Sequence, residues 1–302
     1  MIPNVVCLPL CLATAAFLAT PFYSRIFVRH LRSGSTLRAE MMGGALILAA
    51  FNAAALVPGT PELMRELAVA LTVVATVFAA WLLIRFRITT QPMPQTRTIL
   101  AVGAHPDDLE LACGGTLAKM IDQGHQVYGL VMSSGNVGGV RTERKAEAAR
   151  AGNFIGIKDL KVLNFPDTEL AAHNTAMVNS IEAVINEIKP DVVFTHSNSD
   201  QHQDHHAVHM ATLRAARRQP TILCFESPST TRAFNPSVYV DIQNYMDIKV
   251  KAVQTHQGQM AKPYMSAGHV TGMAAFRGSQ AKRQYAEAFE PVRFLGSAMG
   301  DL

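Results

Sequence analysis

The chain has 302 residues, enough for one large or two smaller domains. Apolar residues make up 49% of it, and the excess sits in about the first ninety positions, so one uniformly soluble globule is excluded. A net charge of +4 without a dense basic stripe argues against nucleic-acid binding, and four cysteines with no CxxC spacing form no disulfide or cysteine–zinc framework and fit a reducing compartment.

From the amino terminus, Val5 to Tyr23, Met41 to Val57 and Leu67 to Ile84 are three apolar runs of about the length that spans a bilayer. No Lys or Arg precedes the first run and no small-residue cleavage site follows it, which reads against a secretory signal peptide. The connecting segments are asymmetric. Arg25, Arg29, Arg32 and Arg38 follow the first run and Arg85 and Arg87 the third, while the Pro58 to Glu66 turn holds Arg65 between two glutamates. The positive-inside rule then places the amino terminus outside and the domain after the third run in the cytoplasm. The expected division is a membrane region over 1–88, a Pro-containing linker over 89–97 and a second domain over 98–302. The other reading of each run is a buried helix of a soluble domain.

After residue 98 the periodicity changes. Thr98 to Val102, Gln126 to Met132, Leu160 to Asn164, Asp191 to Thr195 and Thr221 to Phe225 read as strands, and Leu109 to Asp122, Arg141 to Phe154, Thr175 to Ile188 and the run from Ala207 as helices. This alternation predicts an α/β fold, Rossmann-like, with a mostly parallel sheet and helices on both faces. No G-x-G-x-x-G follows the first strand, so a dinucleotide fingerprint is absent. Val238 to Ile242 reads as a late strand, Tyr245 to His256 as a helix, and Gly258 to Gly278 as an aperiodic loop over the site.

Two strand-to-helix loops carry the chemistry. The first is Ala104-His105-Pro106-Asp107-Asp108, followed by Cys113-Gly114-Gly115; the second is Asp200-Gln201-His202-Gln203-Asp204-His205-His206. In open α/β sheets, ligands bind at such carboxyl ends of strands. His105 and His205 with one aspartate of the first loop make a three-residue N/O donor set, which with water suits a catalytic zinc site, leaving the other aspartate to take a proton. Spacing alone does not say which aspartate does which. His196 at a strand end reads as structural, and His206 and His209 as surface or packing residues.

Ala-His-Pro-Asp-Asp with Gly-Gly, and later His-x-Asp-His, resemble the signature of the LmbE-like, or PIG-L, family of zinc-dependent de-N-acetylases. The likeness runs from Thr98 to Phe294. It includes Arg144-Lys145-x-Glu147-Ala148, Phe165-Pro166-Asp167, Lys249-x-x-Ala252 with His256-Gln257-x-Gln259, and Tyr285-Ala286-Glu287-Ala288-Phe289. One common form of the motif continues Asp-Asp-Glu; here Leu109-Glu110 follows, shifting that carboxylate by one position.

The resemblance implies His105, Asp108 and His205 as metal ligands, Asp107 as general base, and His202 as a donor to the oxyanion. Asp204 would orient an imidazole, and Arg144 and His256 would bind substrate. The other reading of Arg144 is a helix-surface pair with Glu147 at i, i+3. The cofactor implied is Zn2+, with another first-row divalent ion able to occupy such a set. The substrate implied is an acetylated amino sugar of the N-acetylglucosamine type, and attachment to lipid would suit a multi-pass protein of the cytoplasmic membrane. Two alternatives stand beside this reading: a metal-dependent amidase for a non-sugar acyl amine, and a non-catalytic membrane-anchored glycan-binding module.

Overall fold

A computed structural model describes residues 2–90, 93 and 95–296. Part of the expected linker, at 91, 92 and 94, lies outside the described residues. The chain divides into two units, Met1–Thr89 and Thr90–Leu302.

The first unit is helical: α1 Ile2–Ala19, α2 Pro21–His30, α3 Gly34–Ala55 and α4 Glu62–Arg85. The first apolar run is not one straight helix. Pro21 cannot donate to a preceding turn, Thr20 instead caps α2 by accepting from the Tyr23 amide, and the chain bends by 75° between the two helices. The second run starts earlier than its apolar pattern, at Gly34, whose missing side chain permits contact with the backbone of Phe27. Inside this unit Asn4 donates to Asn52 Oδ1 (3.2 Å) and Asn52 donates to Thr72 Oγ1 (2.9 Å), joining α1, α3 and α4 through a buried polar chain. The outward faces are apolar: Leu10, Phe17, Ile47, Phe51, Val74 and Trp81 are all exposed. By length and composition α4, with mean hydropathy 2.6, is able to cross a bilayer, as is the α1–α2 pair if its two bent helices form one span.

The second unit holds β1 Thr98–Gly103, α5 Asp108–Asp122, β2 Gln126–Ser133, α6 Arg141–Ile155, β3 Asp159–Phe165, α7 Asn174–Ile188 and β4 Val192–His196. It continues with α8 Gln203–Ala215, β5 Thr221–Phe225, β6 Val238–Asp241, α9 Met246–Val253, α10 Ala267–Gln280 and β7 Ala286–Arg293. The sheet order is β3-β2-β1-β4-β5-β7-β6, parallel from β3 through β5 and antiparallel where β7 pairs with β5 and β6. α5, α6 and α9 pack together on one face, and α7 packs on α8 on the other. Between sheet and α7–α8, Leu100, Val102, Leu130, Met177, Ile181, Val193 and Val208 form a continuous apolar core.

The chain reverses its direction of winding between β1 and β4. Their following loops therefore open into the crevice where doubly wound sheets bind ligands. The expected loop over 258–278 is a correction: after short 3-10 turns at Gln257–Gln259 and Pro263–Met265, Ser266 caps α10, which buries Val270 and Ala274. Its glycines obscured the helical spacing. The helix expected from Tyr245 to His256 is shorter, Met246–Val253: Tyr245 belongs to a preceding 3-10 turn, and the helix ends three residues before His256.

Candidate metal and catalytic site

The loops after β1 and β4 bring the two motifs together. His105 is buried between them, and its Nε2 lies 3.0 Å from Asp204 Oδ2 and 3.1 Å from Asp167 Oδ1. Asp204 is itself fixed by the amides of Thr168 and Leu170. With Nε2 held by carboxylates, Nδ1 is the nitrogen left free, 3.8 Å from Asp108 Oδ2. His205 is mirrored: its Nδ1 lies 2.8 Å from Asp200 Oδ2, and its Nε2 points toward Asp108 Oδ1 at 3.4 Å. Asp108 has spent its other oxygen, since Oδ2 accepts from the amides of Ala104 (2.9 Å) and His105 (2.7 Å).

Two imidazole nitrogens and a carboxylate thus converge with their remaining atoms tied down. This donor chemistry fits a divalent ion. The tightest donor groups among the described residues are His105 with His202 and His205, Asp108 with His196 and His205, and His105 with Asp167 and Asp204. The expected ligands His105, Asp108 and His205 are divided between these overlapping groups rather than forming one of them.

Electrostatics follow from the same contacts. Burial pushes His105 down, but Asp167 and Asp204 more than reverse it, raising the imidazole to about 9. His205 rises to about 10, burial again being outweighed by Asp108 and Asp200. His196 goes the other way, to about 4, because burial and the neighbouring His205 outweigh its carboxylates. It is fully buried with Nε2 3.1 Å from Asp108 Oδ2, and so buttresses that carboxylate. His209 donates into the structure through Nδ1 to the His196 carbonyl, as a packing residue does.

Asp107 stands at the start of α5 with φ 110°, a left-handed conformation that costs a non-glycine residue about 1–3 kcal/mol. Burial raises its carboxyl to about 6, with Arg144 pulling it back and Asp108 pushing it up. Arg144 is buried and does not make the helix-surface pair with Glu147. Its Nη2 donates to Asp107 Oδ2 (3.0 Å) and to the Pro106 carbonyl (2.6 Å), and Nη1 donates to the Gly135 carbonyl (3.0 Å). It lines the cavity, but the guanidinium is committed to the carboxylate beside it, and Glu147 instead accepts from the Gly258 amide. Gly135 has φ +64°, and a Cβ there would fall 2.1 Å from Arg144 Nη1, so glycine is required for this docking.

His202 caps α8, with Nδ1 accepting from the Asp204 amide (3.2 Å), which leaves the ring proton on Nε2. Burial and the two neighbouring histidines lower its pKa, which favours the neutral ring. His256 is wholly buried, 3.4 Å from Glu110, and is not among the residues lining the cavity. Burial depresses it, and Glu110 reverses that shift to a net rise.

The roles of Asp200 and Asp167, which hold the imidazoles of His205 and His105, are not evident from the sequence. Asp200 sits in the quoted second loop, five positions before His205, but its role depends on Ser227 and Ser229 donating to it from the loop after β5.

The cavity above these groups is also lined by Val137, Gly138, Lys262 and Tyr264.

A doubly wound α/β unit with a His/Asp donor cluster at its switch point is thus the class that fold and site define. The sequence profile of the PIG-L family, described as GlcNAc-PI de-N-acetylase, matches residues 100–216. A protein of Escherichia coli (strain K12) described as uncharacterized deacetylase YaiS is 38% identical over 167 residues, covering 53% of this chain and 90% of that one. The diacetylchitobiose deacetylase of Thermococcus kodakarensis is 28% identical over 240 residues, covering 68% and 87%. Among solved structures, N,N'-diacetylchitobiose deacetylase from Pyrococcus horikoshii shares the fold with TM-score 0.58 at 22% identity, over 67% of this chain and 85% of that one. The chain belongs to the PIG-L/LmbE-like family of deacetylases.

Proposed function

We propose that the protein is a metal-dependent N-deacetylase that hydrolyses the acetamide of an N-acetylglucosamine-type sugar. The observation that carries this reading is the Asp108 carboxylate with His105 Nδ1 3.8 Å from one oxygen and His205 Nε2 3.4 Å from the other, beside a buried Asp107. Membership of a deacetylase family and the diacetylchitobiose deacetylase relative support the sugar amide over a non-sugar one.

His105, Asp108 and His205 would hold the ion, zinc by preference, which when bound supplies a Lewis acid for the carbonyl and acidifies water. Asp107, ionised, takes the proton of the attacking water and later delivers it to the leaving amine, so that acetate and a free amino sugar result. Arg144 holds that carboxylate in place. The Nε2–H of His202 donates to the oxyanion as the carbonyl carbon becomes tetrahedral. Asp204 and Asp200 keep the two ligand imidazoles in the tautomers that free Nδ1 and Nε2 respectively.

The reading extends to the first unit. Its exposed apolar faces, and Arg25, Arg29, Arg32, Arg38, Arg85 and Arg87 in the segments that follow α1 and α4, support a multi-pass cytoplasmic-membrane protein with residues 98–302 on the cytoplasmic side. An anchored enzyme would meet a lipid-linked sugar at that face. The test is acetate release by the metal-loaded full chain from soluble N-acetylglucosamine glycosides and from lipid-linked N-acetylglucosamine. Release from either class supports the deacetylase, and release from soluble glycosides alone removes the lipid-linked version. Sugar binding without acetate from any of them would return the glycan-binding module.

A further inference from the structure

The cavity lining carries a feature that the reaction does not use. Two cationic side chains line the cavity, Arg144 and Lys262. Arg144 is consumed by Asp107 and two backbone carbonyls. Lys262 Nζ makes neither a hydrogen bond nor an ion pair among the described residues. It stands over the Tyr264 ring, 5.7 Å from its centroid, and 3.7 Å from where a Cβ of Gly138 would be. The buried cations Lys249 and Arg277, by contrast, are neutralised by Glu287 and Glu226.

Lys262 is not a loose surface lysine. The segment that bears it is tied down on both sides. The Gly258 amide donates to Glu147 (3.0 Å), Gln259 Nε2 donates to the Gly138 carbonyl (2.9 Å), and the Lys262 amide donates to the Gln259 carbonyl (2.9 Å). Met265, three residues on, is wholly buried. A half-buried ammonium held over an aromatic ring at the edge of a cavity is an anion site backed by a flat apolar surface, the combination that receives a sugar carrying a charged substituent.

We propose that Lys262 and Tyr264 form a subsite for an anionic group, phosphate or carboxylate, on the part of the substrate away from the acetamide, with the Tyr264 ring facing the sugar. This rests on the amino-sugar reading above and narrows it: the preferred substrate is an acidic glycoside rather than a neutral one.

The test separates the two. Full-length protein in detergent, loaded with zinc, is titrated calorimetrically with glucosamine 1-phosphate, carboxymethyl glucosaminide and methyl glucosaminide, none of which carries an acetyl group. Wild type, Lys262→Met and Lys262→Arg are compared at low ionic strength. We expect wild type to bind at least one acidic ligand about fivefold or more tighter than the methyl glycoside, the magnitude of one partly buried charge-assisted contact. Lys262→Met should abolish that preference with the methyl glycoside Kd unchanged, which also reports an intact fold, and Lys262→Arg should restore it. The phosphate and carboxylate arms identify which anion the site takes. Absence of preference in wild type, or a preference that survives in Lys262→Met, overturns the subsite. If the preference behaves as expected but no N-acetylated counterpart releases acetate, the subsite stands and the deacetylase reading fails.

Discussion

At the scale of single residues, the site separates two adjacent aspartates by what each touches. Asp108 accepts two backbone amides and faces two imidazoles, which holds its carboxyl well below the usual range even though burial opposes this. Asp107 lacks those amides and is raised to about 6 by burial. Arg144 limits that rise. Replacing Arg144 by Ala removes the opposing charge, so the Asp107 pKa climbs further; since a base acts in its ionised form, the acid limb of kcat/KM moves to higher pH than in wild type. A pH–rate comparison checks this, and an unmoved limb would show that Arg144 does not act on the base. The imidazoles give a second expectation. Raised to about 9 and about 10, His105 and His205 are protonated at neutral pH in the metal-free protein and must lose those protons to bind an ion. Zinc affinity should therefore increase from pH 6.5 to 9, with proton release visible as a buffer-dependent heat in calorimetry; a pH-independent affinity would contradict the ligand assignment.

At the scale of elements, the late motifs hold up the early one. Helix α5 carries a break at Cys113 (φ −138°, ψ 16°), which frees the amides of Gly115 and Thr116. Glu287 of β7 accepts both, at 3.0 and 2.6 Å, and is paired with Lys249 of α9, whose Nζ also donates to the Leu111 carbonyl. The Cys-Gly-Gly, Lys249 and Glu287 pieces of the sequence signature are thus one buried contact that seats the helix beginning at Asp107. Glu287→Ala leaves Lys249 charged and unpaired, and should destabilise the protein by about 3–5 kcal/mol in denaturant unfolding, whereas Glu287→Gln with Lys249→Met should cost much less. Equal losses would mean that the pair itself, rather than the stranded charge, dominates.

The sequence made this architecture legible where a single period ran through an element. β5 matches its expected limits and β1 to β4 lie within one or two residues of theirs; in the central strands β1, β4 and β5 this follows from apolar runs buried on both faces. It was not legible where contacts are long-range. The caps of Thr20 and Ser266, the glycine-diluted face of α10, and the carboxylates of Asp200 and Asp167 each depend on partners brought in by the fold. His256 shows the converse: a motif residue whose identity suggested substrate contact is enclosed with Glu110.

At the scale of the whole molecule, two units with opposite surfaces share one chain. The first exposes Phe17, Phe51, Val74 and Trp81, while the second places its apolar residues beneath a sheet covered on both faces. Anchoring predicts that the full chain stays with the membrane fraction in alkaline carbonate and is released by detergent. Recovery in the carbonate supernatant would remove the spanning reading and leave the family assignment untouched.

In the proposed function, an ion held by His105, Asp108 and His205 works with Asp107 on an N-acetyl amide. Acetate release from an N-acetylglucosamine glycoside should be followed in three preparations: chelated wild type, zinc-reconstituted wild type, and zinc-reconstituted Asp107→Asn with its bound zinc measured. Activity is expected only in reconstituted wild type, with Asp107→Asn holding zinc equally and losing about 10²- to 10⁴-fold in rate. Undiminished release by the chelated protein, or by zinc-loaded Asp107→Asn, would contradict it.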